Sequence, residues 1–156
     1  MVEHNAICWL PLASSFPRIS AYYSASVDRF LSSDDHQILG ALVATHTHDL
    51  EVEQRQAWEE EIHILREILS GFVGTVLLEF DVPRLGSRID AVLISGSAIF
   101  SIEFKCGERR FRLADYNQAW DYALDLKNFH AASRFAPVFP ILVATQAEGG
   151  DDAWRL

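Results

Sequence analysis

The tightest constraint on this chain is the stretch "RIDAVLISGSAIFSIEFK", running from Arg88 to Lys105. Two apolar, strand-forming runs are joined by Gly96-Ser97, and glycine at the first central position fits a type II′ hairpin turn. Such a turn sets the register: Ser95 faces Ala98, Ile94 faces Ile99, and further along Asp90 falls opposite Glu103. Lys105 lies on the same side, because residues two apart share a face. Ile89, Ala91, Leu93, Phe100, Ile102 and Phe104 make the other side, which reads as core. Directly opposed residues hold their Cβ atoms about 4.5–5.5 Å apart, and like charges placed so destabilise the pair. Each carboxylate raises the proton affinity of the other unless a cation stands between them. A hard divalent ion such as Mg²⁺ takes oxygen ligands of this kind. With Lys105 alongside to hold water or a phosphate oxygen, the residues point to metal-assisted phosphodiester hydrolysis. The hairpin alone equally fits two solubilising edge acids with Lys105 as their ion-pair partner.

The flanking sequence places this hairpin in an α/β fold. Residues 1–33 are mixed and read as loop plus a short helix. Asp34 can cap a helix carrying Ile38, Leu39, Leu42 and Val43. The segment "HTHDLEVEQRQAWEEEIHILREILSG" is the clearest helix, with Trp58, Ile62, Leu65 and Leu69 at helical spacing and Gly71 as the stop. "TVLLEFDVP" reads as a strand ended by Pro83. A helix over 115–130 follows the hairpin, with Ala119, Tyr122, Leu126 and Phe129 as its apolar stripe. "PVFPILVAT" is then a last strand, apolar throughout and expected to be buried on both faces. A strand reached through a helix implies a parallel crossover, hence a mixed sheet with helices on both faces. The expected organisation is one domain: an extension over 1–48, a core over 49–145, and a polar tail or linker start over 146–156.

The two long helices carry further candidates. On a wheel of about 100° per residue, Glu61 falls inside the stripe of Trp58, Ile62, Leu65 and Leu69, whereas Glu60 points away. An inward carboxylate on the helix that covers the sheet is a candidate third metal ligand; a glutamate reaching from the stripe's edge to water is the competing reading. Gln118 and Tyr122 are four apart and share a face. They could fix a phosphate or orient Lys105, or simply be a core aromatic and its neighbour.

Together these residues resemble the PD-(D/E)XK nuclease superfamily. The resemblance rests on Asp90, on Glu103-Phe104-Lys105 after the Gly-Ser turn, on an acid in the preceding helix, and on Gln118-x-x-x-Tyr122 in the following one. The last element is similar to that of the RecB-like branch. The resemblance spans 49–145 and implies an αβββαβ restriction-endonuclease-like core. It implies that Asp90 and Glu103 bind Mg²⁺ or Mn²⁺ with the main-chain carbonyl of Phe104 and with Glu61 as the helix acid. It gives Lys105 the role of activating water or steadying charge on the phosphate, with Gln118 and Tyr122 in support. Position 89 departs from the family name, carrying isoleucine where proline is expected. More narrowly, "FDVPRLGSRIDAVLI", "IEFKCG" and "DYALDLKNFH" resemble the N-terminal domain of bacterial proteins with a helicase-type ATPase downstream. That implies nucleic-acid processing or defence, either by a nuclease or by an inactive docking module for the ATPase.

Charge sharpens the partner question. The 156 residues carry a net charge of −9, which on its own argues against a general nucleic-acid binder. Between Arg84 and Arg134, however, eight Lys/Arg stand against six Asp/Glu. Arg88, Arg109, Arg110 and Arg112 are the expected phosphate contacts, since arginine offers paired donors to phosphate oxygens. Nucleic acid is the expected partner, with DNA ranked ahead of RNA. No apolar run reaches the roughly 18 residues of a membrane span, and the expected location is cytoplasmic. Cys8 and Cys106 are too few for a disulfide scaffold. Around His46, His48 and Asp49, helix capping by Thr47 or Asp49 explains the composition more simply than a metal. His63 is expected at the surface.

Overall fold

The computed structural model describes residues 21–46, 51–82, 86–129 and 133–148. Its centre is the hairpin of β3 (Ser87–Ser95) and β4 (Ala98–Lys105). Gly96 has φ +57°, and among the described residues Glu79 is the one non-glycine with positive φ. Ser97 therefore has negative φ, which excludes type I′ and fits type II′. The ladder runs from Ser95↔Ala98 to Ala91↔Ile102, the register the turn dictates.

Two strands extend the sheet on one side. β2 (Thr75–Val82) pairs antiparallel with β3, and β1 (Ala21–Ser26) pairs antiparallel with β2. On the other side α4 (Leu113–Phe129) leads to β5 (Val138–Ala144), which runs parallel to β4. The spatial order β1-β2-β3-β4-β5 follows the chain, giving an α/β fold on a five-stranded mixed sheet. α1 (Val27–Ser32), α2 (Asp35–Thr45) and α3 (Val52–Ile68) complete it. Asp34 caps α2, its carboxylate accepting the His36 N–H at 2.8 Å. Arg66 of α3 ties down the preceding turn by donating to Asp35 (2.7 Å) and to the carbonyls of Leu31 (2.7 Å) and Ser33. Among the described residues no helix is long and apolar enough to cross a membrane.

Burial divides into two cores. One gathers Phe30, Ile38, Leu42, Trp58, Ile62 and Leu65 from α1–α3 against Val76, Leu78, Ala91, Leu93, Ile102 and Phe104. The second gathers Leu126 of α4 with Leu77, Phe80, Val82, Ile89, Val92 and Ile99. Neighbouring residues such as Leu77 and Leu78 belong to different cores, so the cores lie on opposite faces.

Three expectations are corrected. First, β1 lies within the stretch read as loop and short helix, because its short, polar sequence pairs only with a distant partner. Second, Ile89 does not share a face with Ala91 and Leu93 but packs in the α4-side core. The break lies opposite Glu79, whose left-handed backbone reverses the alternation of β2 at the same point. Leu78 and Glu79 both turn toward α3, and the β2–β3 ladder passes over Glu79 and Asp90 between Leu78↔Ala91 and Phe80↔Ile89. Third, among the described residues β5 is an edge strand, with Phe139 48% and Ile141 37% exposed, so it is not buried on both faces. Its continuous apolarity reflects half-covered positions and a stack of Phe139 on Phe100 at 5.4 Å. The tail from 149 onward, the segment 47–50 and residues 1–20 and 83–85, with the expectations placed on them, lie outside the described residues.

Gly74 admits the close approach of β3 to the start of β2: an added Cβ would sit 2.0 Å from the Ile94 carbonyl oxygen. Gly74→Ala should therefore destabilise the fold by about 2 kcal/mol or more, whereas Gly40→Ala in α2, where nothing lies within 4 Å, should stabilise by up to about 1 kcal/mol. Thermal unfolding followed by circular dichroism separates the two, and equal melting temperatures would contradict this account of the β2–β3 contact.

Candidate active site

The site grows from the end of the β3–β4 ladder. Beyond Ala91↔Ile102 the Asp90 carboxylate substitutes for a ladder acceptor, with Oδ2 taking the Phe104 N–H at 2.8 Å. The same register, continued one pair beyond Ala91↔Ile102, sets Glu103 against Asp90, and their charges interact. Glu103 is only 4% exposed, on the face opposite the buried Ile102 and Phe104. Burial first, and then the charge of Glu103, push the Asp90 carboxyl well above its ordinary range; the Phe104 N–H opposes the rise. The two carboxyls are close enough to share a hydrogen bond once one holds a proton. With both ionised, that bond is lost, and Glu103 Oε2 is then a buried acceptor facing no donor. Leaving such an atom unsatisfied costs about 1–3 kcal/mol.

The other Glu103 oxygen is satisfied. Lys105 Nζ donates to Glu103 Oε1 at 2.8 Å and to Gln118 Oε1 at 2.9 Å. Gln118 Nε2 donates in turn to Tyr122 Oη at 2.9 Å. Because lysine offers only donors, the Gln118 amide must turn its oxygen toward Lys105, and Tyr122 accepts from the opposite end. Burial works against the ammonium, yet the hydrogen bond and charge of Glu103 outweigh it and hold Lys105 above its ordinary value. Of the two readings the spacing left open, the structure shows the contact with Lys105: β4 supplies Glu103 and Lys105, α4 supplies Gln118 and Tyr122.

From the α3 side comes Glu61, buried at 7% exposure, so the inward reading holds over the one that had it reach water. Burial, followed by Asp90, Glu79 and Glu103, lifts its carboxyl well above the usual range. Glu79 is the residue that sequence reasoning missed. It is 4% exposed, accepts from Trp58 Nε1 at 2.6 Å, and pairs with Arg88 Nε at 2.6 Å. Burial raises its carboxyl, while Trp58 and Arg88 hold the rise in check. Its signal was a lone acid inside the apolar run "VLLEF", opposite Asp90 in strand register. Four carboxyls thus converge electrostatically against two cations, Lys105 and Arg88.

Other expected residues fall as follows. Arg88 is committed inward: it pairs with Glu79, donates to the Tyr22 hydroxyl and lies over the Tyr22 ring at 4.9 Å. It is therefore not offered to a phosphate, because the unforeseen β1 supplies Tyr22 beneath it. Arg109, Arg110 and Arg112 sit exposed on the loop after β4. Arg112 pairs with Glu108 at 2.9 Å, Arg109 reaches Gln146 at 3.5 Å, and Arg110 has no ion pair or hydrogen bond among the described residues. His63 is a surface residue paired with Glu67, and the His46 ring packs edge-on to Trp58 at 5.7 Å. Burial, with Glu61 and Glu60 nearby, pushes the Cys106 thiol up to about 12, so it is no nucleophile.

No family model, curated protein or solved structure matches this chain.

The donor set can be tested against a divalent ion. Asp90, Glu103 and the Phe104 carbonyl are hard oxygen donors, and the donorless Glu103 Oε2 is the atom a cation would satisfy. Among the described residues no three His, Cys, Asp or Glu side chains are gathered at ligand spacing. By donor chemistry Asp90 and Glu103 are the two carboxylates suited to such an ion, and Glu61 is an electrostatic neighbour of both.

Raised carboxyl affinities fix the sign of the pH response. Glu61 binds a proton more tightly folded than unfolded, so stability falls as pH rises from the unfolded value, near 4.3, through the raised folded value. Glu61→Gln should melt higher than the parent at pH 8 and close to it at pH 4, by about 2–4 °C for each kcal/mol recovered. Calorimetry at the two pH values checks this, and a parent whose melting point holds steady between them would refute it.

Proposed function

We propose that this chain is a nuclease-like domain of the PD-(D/E)XK type, hydrolysing phosphodiester bonds of nucleic acid with Mg²⁺ or Mn²⁺. The observation that carries the reading is the connected line Glu103–Lys105–Gln118–Tyr122 with Asp90 set against Glu103. The succession of α3, β2, β3, β4, α4 and β5 supports it, being the αβββαβ order of a restriction-endonuclease-like core.

Each residue has a task that its surroundings support. Asp90, Glu103 and the Phe104 carbonyl would hold the ion, and Glu61 and Glu79 would deepen the negative potential that attracts it. When bound, the ion supplies positive charge for the scissile phosphate and acidifies water. Lys105 spends two of its three donor directions on Glu103 and Gln118, which leaves one for a phosphate oxygen or the attacking water. Gln118, itself held by Tyr122, keeps that ammonium from swinging away. A catalytic group fixed in this manner need not be reoriented as charge builds on the phosphate.

A second reading is a nucleic-acid-binding or docking module without turnover, serving a helicase-type ATPase. The lack of a third gathered carboxylate among the described residues favours it.

Incubation of the intact chain with single- and double-stranded DNA and RNA, with Mg²⁺ or Mn²⁺, separates these readings. Cleavage should depend on the added ion, and Asp90→Ala and Lys105→Ala should each reduce it by about 10²–10³-fold while remaining folded by circular dichroism. If parent and variants leave the same background, the catalytic reading is wrong.

A further inference from the structure

The outer side of α4 carries large apolar residues that stay exposed among the described residues. Leu113, Tyr116, Trp120 and Leu124 are all exposed, Trp120 at 58%. At about 100° per residue they fall within one arc of about 100°, together with Asn117 and Lys127. That arc holds no acid: Asp115, Asp121 and Asp125 project elsewhere on the helix. In a chain of net charge −9, an acid-free aromatic strip is a surface on which a polyanion can lie without repulsion.

The strip is continuous with the basic loop. Phe111 lies between Arg110 and Arg112 and packs against Tyr116, ring centroids 6.0 Å apart at 37°. The loop itself follows β4, directly after Lys105. Gln118 and Tyr122 lie on the opposite flank of α4, with buried Ala119, Ala123 and Leu126 between the flanks. Asp121 and Asp125 occupy the solvent side of the helix, so an anionic chain reaching the strip from Lys105 must pass around the start of α4. Arg109, Arg110 and Arg112 stand along that route.

We propose that this surface binds a single-stranded nucleic-acid segment, with bases stacked on Tyr116, Trp120 and Phe111 and phosphates held by Arg109, Arg110 and Arg112. Stacking requires unpaired bases with open faces, which a duplex does not offer, and aromatic platforms beside basic side chains are the chemistry that holds them. The inference rests on the nuclease reading for the strand's other end, at Lys105, and gives that site a single-stranded substrate.

The test uses the full chain with a fluorescein-labelled oligo(dT) of about 20 nucleotides and a duplex of equal length. Ca²⁺ replaces Mg²⁺ during the binding measurements, and cleavage is assayed separately with Mg²⁺. Anisotropy should show tighter binding of the single strand. Trp120→Ala and Tyr116→Ala should each weaken it by about tenfold and leave duplex binding unchanged. Replacing the three arginines by alanine should reduce the log–log salt slope by about 2. Both aromatic sites are exposed, so the variants keep the fold. Unchanged single-strand affinity in the two aromatic variants overturns the proposal, as does equal affinity for the duplex or loss of self-association in Trp120→Ala with oligonucleotide binding intact. Asp90-dependent cleavage with Trp120-independent binding defeats this inference alone. Trp120-dependent binding without cleavage supports it and defeats the catalytic reading.

Discussion

Two carboxyls pressed together in a low-dielectric setting set the terms for everything around them. At an effective dielectric constant near 20, charges about 4 Å apart interact by about 4 kcal/mol, a large fraction of the 5–15 kcal/mol by which a domain is stable. Asp90 and Glu103 cannot both be ionised at no cost, and their neighbours answer that cost in different ways. The Phe104 amide steadies one carboxylate and Lys105 the other. Glu61 and Glu79 do the reverse and worsen the repulsion. Stability alone does not explain four acids there; the cation proposed above would.

The backbone yields at the same point. Glu79 holds a left-handed conformation in mid-strand, which for such a residue costs about 1–3 kcal/mol. Trp58 and Arg88 grip its carboxylate and keep the distortion in place. The gain is positional. Reversed alternation brings Glu79 round to the α3 side beside Glu61, while Asp90, opposite it, is released from the ladder and accepts from Phe104 instead. An undistorted β2 would point Glu79 away from α3.

What could be read from sequence depended on how local its cause was. The hairpin register follows from two turn residues, and with it the placement of Asp90, Glu103 and Lys105. Glu61 was found from the angle it makes with Trp58 and Leu65, and Gln118 with Tyr122 from a spacing of four. Glu79 escaped because an acid in a strand reveals neither backbone inversion nor a tryptophan twenty-one positions away. Arg88 was misread because its partner Tyr22 belongs to a strand that no local pattern announces. β5 looked like a central strand because apolar content reports hydrophobicity and not the number of neighbours.

Pro140 gives that last strand a further meaning. An open sheet edge normally offers a row of backbone donors to which a stray strand can attach, and apolar edges such as β5, with Phe139 and Ile141 exposed, are the most adhesive. Proline is tolerated in a strand where its missing N–H faces away from the neighbour. At the middle of β5, paired with Ser101 on its inner side, it breaks the outward row. The sheet can therefore close its growth at five strands and keep an adhesive edge from seeding aggregates, without a charged residue on β5.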